Sequence, residues 1–263
     1  MKFYRLVIST LIVCLLHASS FASQYTPDIL EAVLKKVIDT TQEGAQPVII
    51  FDLDDTLINT QDRSLRVLKD FISEKTTQKK FPKEVDKLKN IHLSDIHYRL
   101  EDTLKERGIR NKTFIKEAKK FWQLRFYSSD YCQSDEPLPG AVPYVQSLYE
   151  NGAAIVYLTG RDMPRMELGT KKNLQLYEFP LDTEGVTLIM KPTWKMGNLA
   201  FKKRAFDDIA QLGTVVAAFE NEPENINALQ DRFSEGIMVF IDSAHSPKPD
   251  VPNPGIFWIK DYQ

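Results

Sequence analysis

The chain has 263 residues, 43% apolar and 27% charged, with a formal charge of −2. That composition excludes a disordered chain and suits one large globular domain, or a core domain carrying an insertion. It also excludes the broad basic field of a nucleic-acid binder, so Lys-rich stretches such as Lys79 and Lys80 read as solvated helix faces.

Lys2 and Arg5 precede an apolar run from Leu6 to Leu16, followed by the small residues Ala18, Ser19, Ser20 and Ala22. This is the order of a secretory signal peptide over residues 1–22, cleaved after Ala22. The run is short of the roughly 20 residues that a membrane span needs, although a retained anchor is the alternative. The expectation is export, to the periplasm or beyond, with no stable membrane insertion after cleavage. Cleavage would remove Cys14 and leave Cys132, whose neighbours Tyr127 and Tyr131 suggest a packed thiol.

Leu30, Val33, Leu34, Val37 and Ile38 recur at helical spacing, so a helix precedes the breakers Gly44 and Pro47. Val48 to Phe51 are all β-branched or aromatic and run into acidic residues, which predicts a buried parallel strand ending in a loop of carboxylates. Open α/β sheets carry their chemistry at that end. Asp52 and Asp54 repel each other unless a cation or a proton intervenes, and a hard divalent cation, Mg²⁺, answers that need. One carboxylate then serves as nucleophile while the other carries a proton, which suits phosphoryl transfer.

Charged residues and helical spacing dominate 59–135, with a helix start at Ser94; about three helices are expected there. The turn at Pro137 to Gly140 returns the chain to a helix from Pro143 and then to a strand, Ala153 to Arg161, that ends in Thr159 and Gly160. A hydroxyl and an amide at that position can donate to phosphoryl oxygens, and Arg161 either binds substrate phosphate or ties down the loop. Further strands follow at Val186 to Met190, Thr214 to Phe219 and Gly236 to Asp242, with an edge strand near the C-terminus. His92, His97 and His245 show no metal-ligand spacing.

The run Asp52, Leu53, Asp54, Asp55, Thr56 resembles the first motif, DxDxT, of the haloacid dehalogenase (HAD) superfamily, and Thr159 after an apolar strand resembles the second. The resemblance implies a doubly wound parallel sheet of order 5-4-1-2-3, with a core over 23–58 and 136–263 and a helical cap over 59–135. It implies a lysine near the start of the helix before the fourth strand, where Lys202 fits better than Lys191, Lys195 or Lys203. It also implies metal ligands after that strand. There the sequence departs from the pattern, offering Glu220, Asn221 and Asn225 where aspartates are usual, so Asp52, Asp54, Asn221 and Glu220 form the expected Mg²⁺ set. The implied activity is Mg²⁺-dependent hydrolysis of a small phosphomonoester, resembling the secreted acid phosphatases. Asp52 is then the nucleophile, Asp54 the acid and base, Thr159 and Lys202 the phosphoryl clamp, and Gly160 and Arg161 the substrate contacts. The alternative is a secreted binding protein on a scaffold that has lost activity.

Overall fold

A computed structural model describes residues 25–263; the expected leader over 1–22 lies outside the described residues. Helix α1 (Ile29–Gln42) turns Val33 and Val37 inward and leads into β1 (Pro47–Phe51), every residue of which is buried. A strand covered on both faces needs no alternation, which is why its sequence reads as one apolar run.

Past β1 the chain leaves the sheet along β2 (Ile58–Asn59) and returns along β3 (Glu136–Pro137), paired antiparallel with Asn59 opposite Glu136. Two residues per strand carry no periodic signal, so this ribbon is invisible in the sequence. Between its strands lie α2 (Gln61–Ser73), α3 (Lys75–Lys80), α4 (Pro82–Leu88), α5 (Leu100–Glu106), α6 (Lys112–Phe126) and α7 (Ser129–Cys132). The helix expected at Ser94 is instead a single 3₁₀ turn, Leu93–Asp95. The Asp95 carboxylate accepts the His92 N–H at 2.8 Å and closes that turn, and the helix starts only at Leu100.

The core continues with α8 (Ala141–Glu150), β4 (Ala154–Asp162), α9 (Met163–Leu176), β5 (Val186–Lys191) and α10 (Asn198–Ala210). It ends with β6 (Thr214–Glu220), α11 (Pro223–Arg232), β7 (Ile237–Ile241) and β8 (Phe257–Ile259). Six of the strands form one parallel sheet in the order β5-β4-β1-β6-β7-β8. The five predicted strands therefore fall in the predicted order, and β8 extends the sheet beyond β7. Central β1 pairs Ile50 with Val156 on one side and Ala218 on the other.

Alternate residues of β1 feed two cores. Ile49 and Phe51 join α1 and α8 through Val33, Val37, Val145 and Leu148, while Val48 and Ile50 join α10 and α11 through Phe206, Ile209 and Ile226. A third core lies within the inserted helices, where Phe114 meets Phe71 and Phe81, each at 5.3 Å between ring centres. Each such side chain contributes about 1.5–3 kcal/mol by leaving water, which gives the insertion cohesion of its own. Among the described residues no helix is long and apolar enough to cross a membrane.

The insertion meets the core closely where α7 crosses α9. A Cβ on Gly169 would lie 2.8 Å from Cys132 Sγ and inside the Ser129 backbone, so only glycine permits this approach. Gly169→Ala is expected to push the helices apart and cost about 1–3 kcal/mol, read as a lowered urea midpoint.

Candidate active site

Beyond Phe51 the chain turns sharply. The Leu53 carbonyl accepts the N–H groups of Thr56, Leu57 and Ile58 at 3.2, 3.0 and 2.9 Å, and Asp55 adopts a left-handed φ of 57°. Asp tolerates that conformation where its side chain bonds nearby. Here the Asp55 carboxylate accepts the Thr60 N–H at 2.9 Å and the Thr60 hydroxyl at 2.8 Å. The turn leaves Asp52 and Asp54 lining one cavity of about 690 Å³ between the sheet and the inserted helices.

Three neighbouring elements meet at the floor of this cavity. Lys202, from α10, donates to Asp52 Oδ1 at 2.7 Å and to Glu220 Oε2 at 2.5 Å, with all three side chains buried. Of the four candidate lysines, Lys202 is the one that reaches Asp52. Lys195 and Lys203 are exposed, and Lys191 donates to Asn198 Oδ1 and the Met196 carbonyl at the cavity edge. Burial pushes the Asp52 carboxyl up to about 8; Lys202 opposes the shift and Glu220 reinforces it. Burial works against the Lys202 charge, but Asp52 and Glu220 outweigh it and hold the ammonium protonated.

Asp54 sits in a second ion-paired group. Arg161 donates to Asp54 Oδ1 through Nη2 at 2.7 Å and Nε at 3.1 Å, and Arg63 through Nη2 at 2.8 Å. Both guanidiniums also pair with buried Asp135, Arg161 at 3.2 Å. Burial alone would raise the Asp54 carboxyl, yet Arg161 and Arg63 prevail and hold it well below the usual carboxylate range. Asp54 keeps 32% of its side-chain surface open, so it stays accessible as a charged group.

The structure revises several expected roles. The Arg161 side chain has no exposed surface and donates to Asp54, Asp135 and the Thr170 hydroxyl, which ties down the loop, and the residue also lines the cavity. Thr159 is fully buried and does not line the cavity; its hydroxyl accepts the Arg161 N–H at 3.2 Å. Gly160 does line it, and a Cβ there would strike the Asn198 side chain at 2.9 Å.

The expected metal set changes for the same kind of reason. Glu220 is buried away from the cavity lining. One of its oxygens accepts from Lys202 and Asn225 Nδ2, the other from the N–H groups of Asn221 and Glu222. The Asp54 carboxylate gives Oδ1 to the two guanidiniums and still lines the cavity. Asp52, Asp54, Asn221 and Asn225 are among the residues that line the cavity with oxygen atoms, and Asn225 Oδ1 is buried without a hydrogen-bond partner. An all-oxygen set of carboxylates and amides is compatible with a hard cation. Among the described residues no three His, Cys, Asp or Glu side chains group as metal ligands.

Arg63 and Asp135 carry no motif in the sequence; only their meeting across the ribbon reveals them. Tyr98 and Trp194, which also line the cavity, lie in stretches without periodic signal. Cys132 is a packed thiol, as expected: it is fully buried, with Sγ 3.9 Å from the Ser129 and Met166 carbonyls.

Fold and site define a doubly wound α/β protein with a carboxylate–lysine centre at the carboxyl end of its central strand. A sequence profile of the haloacid dehalogenase-like hydrolases matches residues 49–207, over half the chain, and the chain belongs to that family. Among similar solved structures, a Clostridium difficile protein provisionally named a phosphatase has a TM-score of 0.50 at 13% identity, over 74% of this chain and 85% of its own. A haloacid dehalogenase-like hydrolase of Streptococcus pneumoniae has a TM-score of 0.47 at 13% identity, over 77% and 88%. A class C acid phosphatase of Bacillus anthracis, with tungstate bound, has a TM-score of 0.39 at 14% identity, over 87% and 80%. A search of curated proteins gave no significant match.

Burial also pushes the Asp55 carboxyl up to about 7, against the opposing Thr60 bonds. A carboxyl raised in the folded state binds a proton that the unfolded chain has released, so its stabilisation is complete below about pH 4 and is lost as pH rises through the folded value. Metal-free protein is therefore expected to lose stability between about pH 5 and 7, by about 1.4 kcal/mol per pH unit for each such group. Asp55→Asn should remove one group's share of the slope in urea midpoints measured across that range, and a flat wild-type profile would contradict the assignment.

Proposed function

We propose that the protein is a phosphomonoester hydrolase that works through an aspartyl-phosphate on Asp52. The observation that carries this reading is Asp52 at the floor of a substrate-sized cavity, 2.7 Å from the buried Lys202 ammonium. A carboxylate held against a fixed cation suits attack on an anionic centre, because the cation offsets the repulsion between nucleophile and phosphate.

In the first half-reaction an Asp52 oxygen attacks phosphorus, the bond from phosphorus to the ester oxygen breaks, and its electron pair leaves on the alcohol. In the second, water attacks phosphorus and the bond to Asp52 breaks, releasing phosphate. Asp54 carries the protons. Positioned by Arg161 and Arg63, it gives a proton to the leaving alcohol in the first half-reaction and recovers one from the attacking water in the second. Lys202 offsets charge on Asp52 and is positioned to pair with phosphoryl oxygens once that carboxylate becomes an acyl phosphate. The glycine at position 160 lets the Asn198 side chain pack against the main chain at the cavity edge.

Mg²⁺ belongs to the same proposal: bound by Asp52, Asn221 and Asn225, it would supply charge that keeps Asp52 ionised and draws electron density from the phosphoryl oxygens. Export through the leader, and the narrower likeness to secreted acid phosphatases, complete the reading. A binding protein on a spent scaffold has less in its favour, because the Asp52–Lys202 pair is in place.

Purified protein with Mg²⁺ is expected to release phosphate from members of a broad monoester panel, and Asp52→Asn to lower that rate by at least about 10³-fold. Equal, negligible release from both would defeat the proposal. Asn221→Asp adds a carboxylate to the cation set and should tighten Mg²⁺ binding by roughly tenfold in calorimetry; unchanged affinity would remove Asn221 from the set.

A further inference from the structure

The cavity is much larger than a phosphoryl group needs, and its walls above the ion-paired floor are rich in rings. Trp122 and Phe126 come from α6, Tyr98 and Tyr127 from loops of the insertion, and Trp194 from the loop between β5 and α10. Rings thus line the space from both the insertion and the core.

Three of these rings keep much of their surface uncovered: Tyr98 is 46% exposed, Tyr127 38% and Trp194 60%. Large aromatic side chains are seldom left open in a cluster unless something covers them. Their supports are firm. Trp122 and Phe126 stack with centres 4.2 Å apart, and Tyr127 stands edge-on to both. Asp162 fixes Arg165 at 2.8 and 2.6 Å, and the Arg165 guanidinium lies 5.1 Å from the Tyr127 ring centre and 5.9 Å from that of Trp194. One cation therefore links a ring of the insertion to a ring of the core across the mouth.

Resting on the phosphomonoesterase reading, we propose that the substrates are phosphomonoesters whose alcohol carries a planar ring, which stacks on Trp194 with Tyr98 and Tyr127 opposite. The chemistry is that of a flat π-face beside a phosphoryl floor, and it distinguishes such alcohols from aliphatic ones because stacking needs a face and no particular hydroxyl pattern. Trp194 is then a specificity residue that takes no part in bond making.

The experiment uses the intact protein with phenyl phosphate, adenosine 5′-monophosphate and glycerol 3-phosphate. Both ring-bearing esters are expected to exceed glycerol 3-phosphate in kcat/KM by about tenfold or more. Trp194→Ala should erase that advantage through KM and leave glycerol 3-phosphate within about twofold, and Trp194→Phe should restore most of it. A preference for phenyl phosphate alone would identify an aryl ester, and a preference for the nucleotide a larger ring system; either supports the proposal. Equal losses on all three esters, no loss at all, or a preference for glycerol 3-phosphate would overturn it. If none of the three is hydrolysed, the functional reading fails separately, and calorimetry with phenylphosphonate against methylphosphonate decides the ring site. Tighter binding of the phenyl compound, lost in Trp194→Ala, supports it, and equal binding overturns it.

Discussion

The Lys202 ammonium lies between two buried carboxylates, Asp52 at 2.7 Å and Glu220 at 2.5 Å, and the site exists because three elements deliver those groups to one point. Asp52 follows central β1, Glu220 ends the adjacent β6, and Lys202 stands one turn into α10. Burying three charges costs several kcal/mol for each ion, and the mutual attraction recovers this only with close geometry. Glu220 achieves that by also accepting two backbone N–H groups from the loop after β6 and one from Asn225. The loop that lines the cavity is thereby fastened to the same lysine that serves Asp52.

A second ionic group ties the insertion to the core. Arg63 stands on α2, just past the ribbon, and Asp135 lies just before its return strand, whereas Asp54 and Arg161 follow and end core strands. Two guanidiniums and two carboxylates balance in charge, which lets all four be buried or nearly so. The consequence for chemistry is that the ionisation of Asp54 depends on where the insertion sits. A shift of α2 that withdrew Arg63 would remove one of the two cations that hold this carboxylate charged.

How much of this the sequence discloses follows from the reach of each signal. Val48 to Phe51 and the strands near Ile155, Val216 and Val239 are legible because burial on both faces demands continuous apolar residues, and their order follows from the family resemblance. Lys202 is legible through the family resemblance, which places a lysine in the helix before the fourth strand. Arg161 is not, because the same TGRD run serves whether the guanidinium points to substrate or turns back on Asp54, and only the presence of Arg63 and Asp135 beside it decides. Glu220 misleads for a related reason: an acid beside Asn221 looks like a substitute ligand until Lys202 and two amides are seen to claim it. The fragmented helices of the insertion escape because their breaks depend on local bonds, such as Asp95 to the His92 N–H, and not on hydrophobic period.

In the function proposed, the wall of rings above this floor selects what enters and the ion pairs within it act on what has entered. Both depend on Asp52 being the atom source for the new bond to phosphorus. The most direct test is to quench the protein in acid during turnover of a radiolabelled phosphomonoester and map the label by peptide analysis. Label on the peptide containing Asp52, discharged by hydroxylamine as an acyl phosphate requires, is the predicted result. Steady turnover with no label on that peptide, or label on any other side chain, would contradict it.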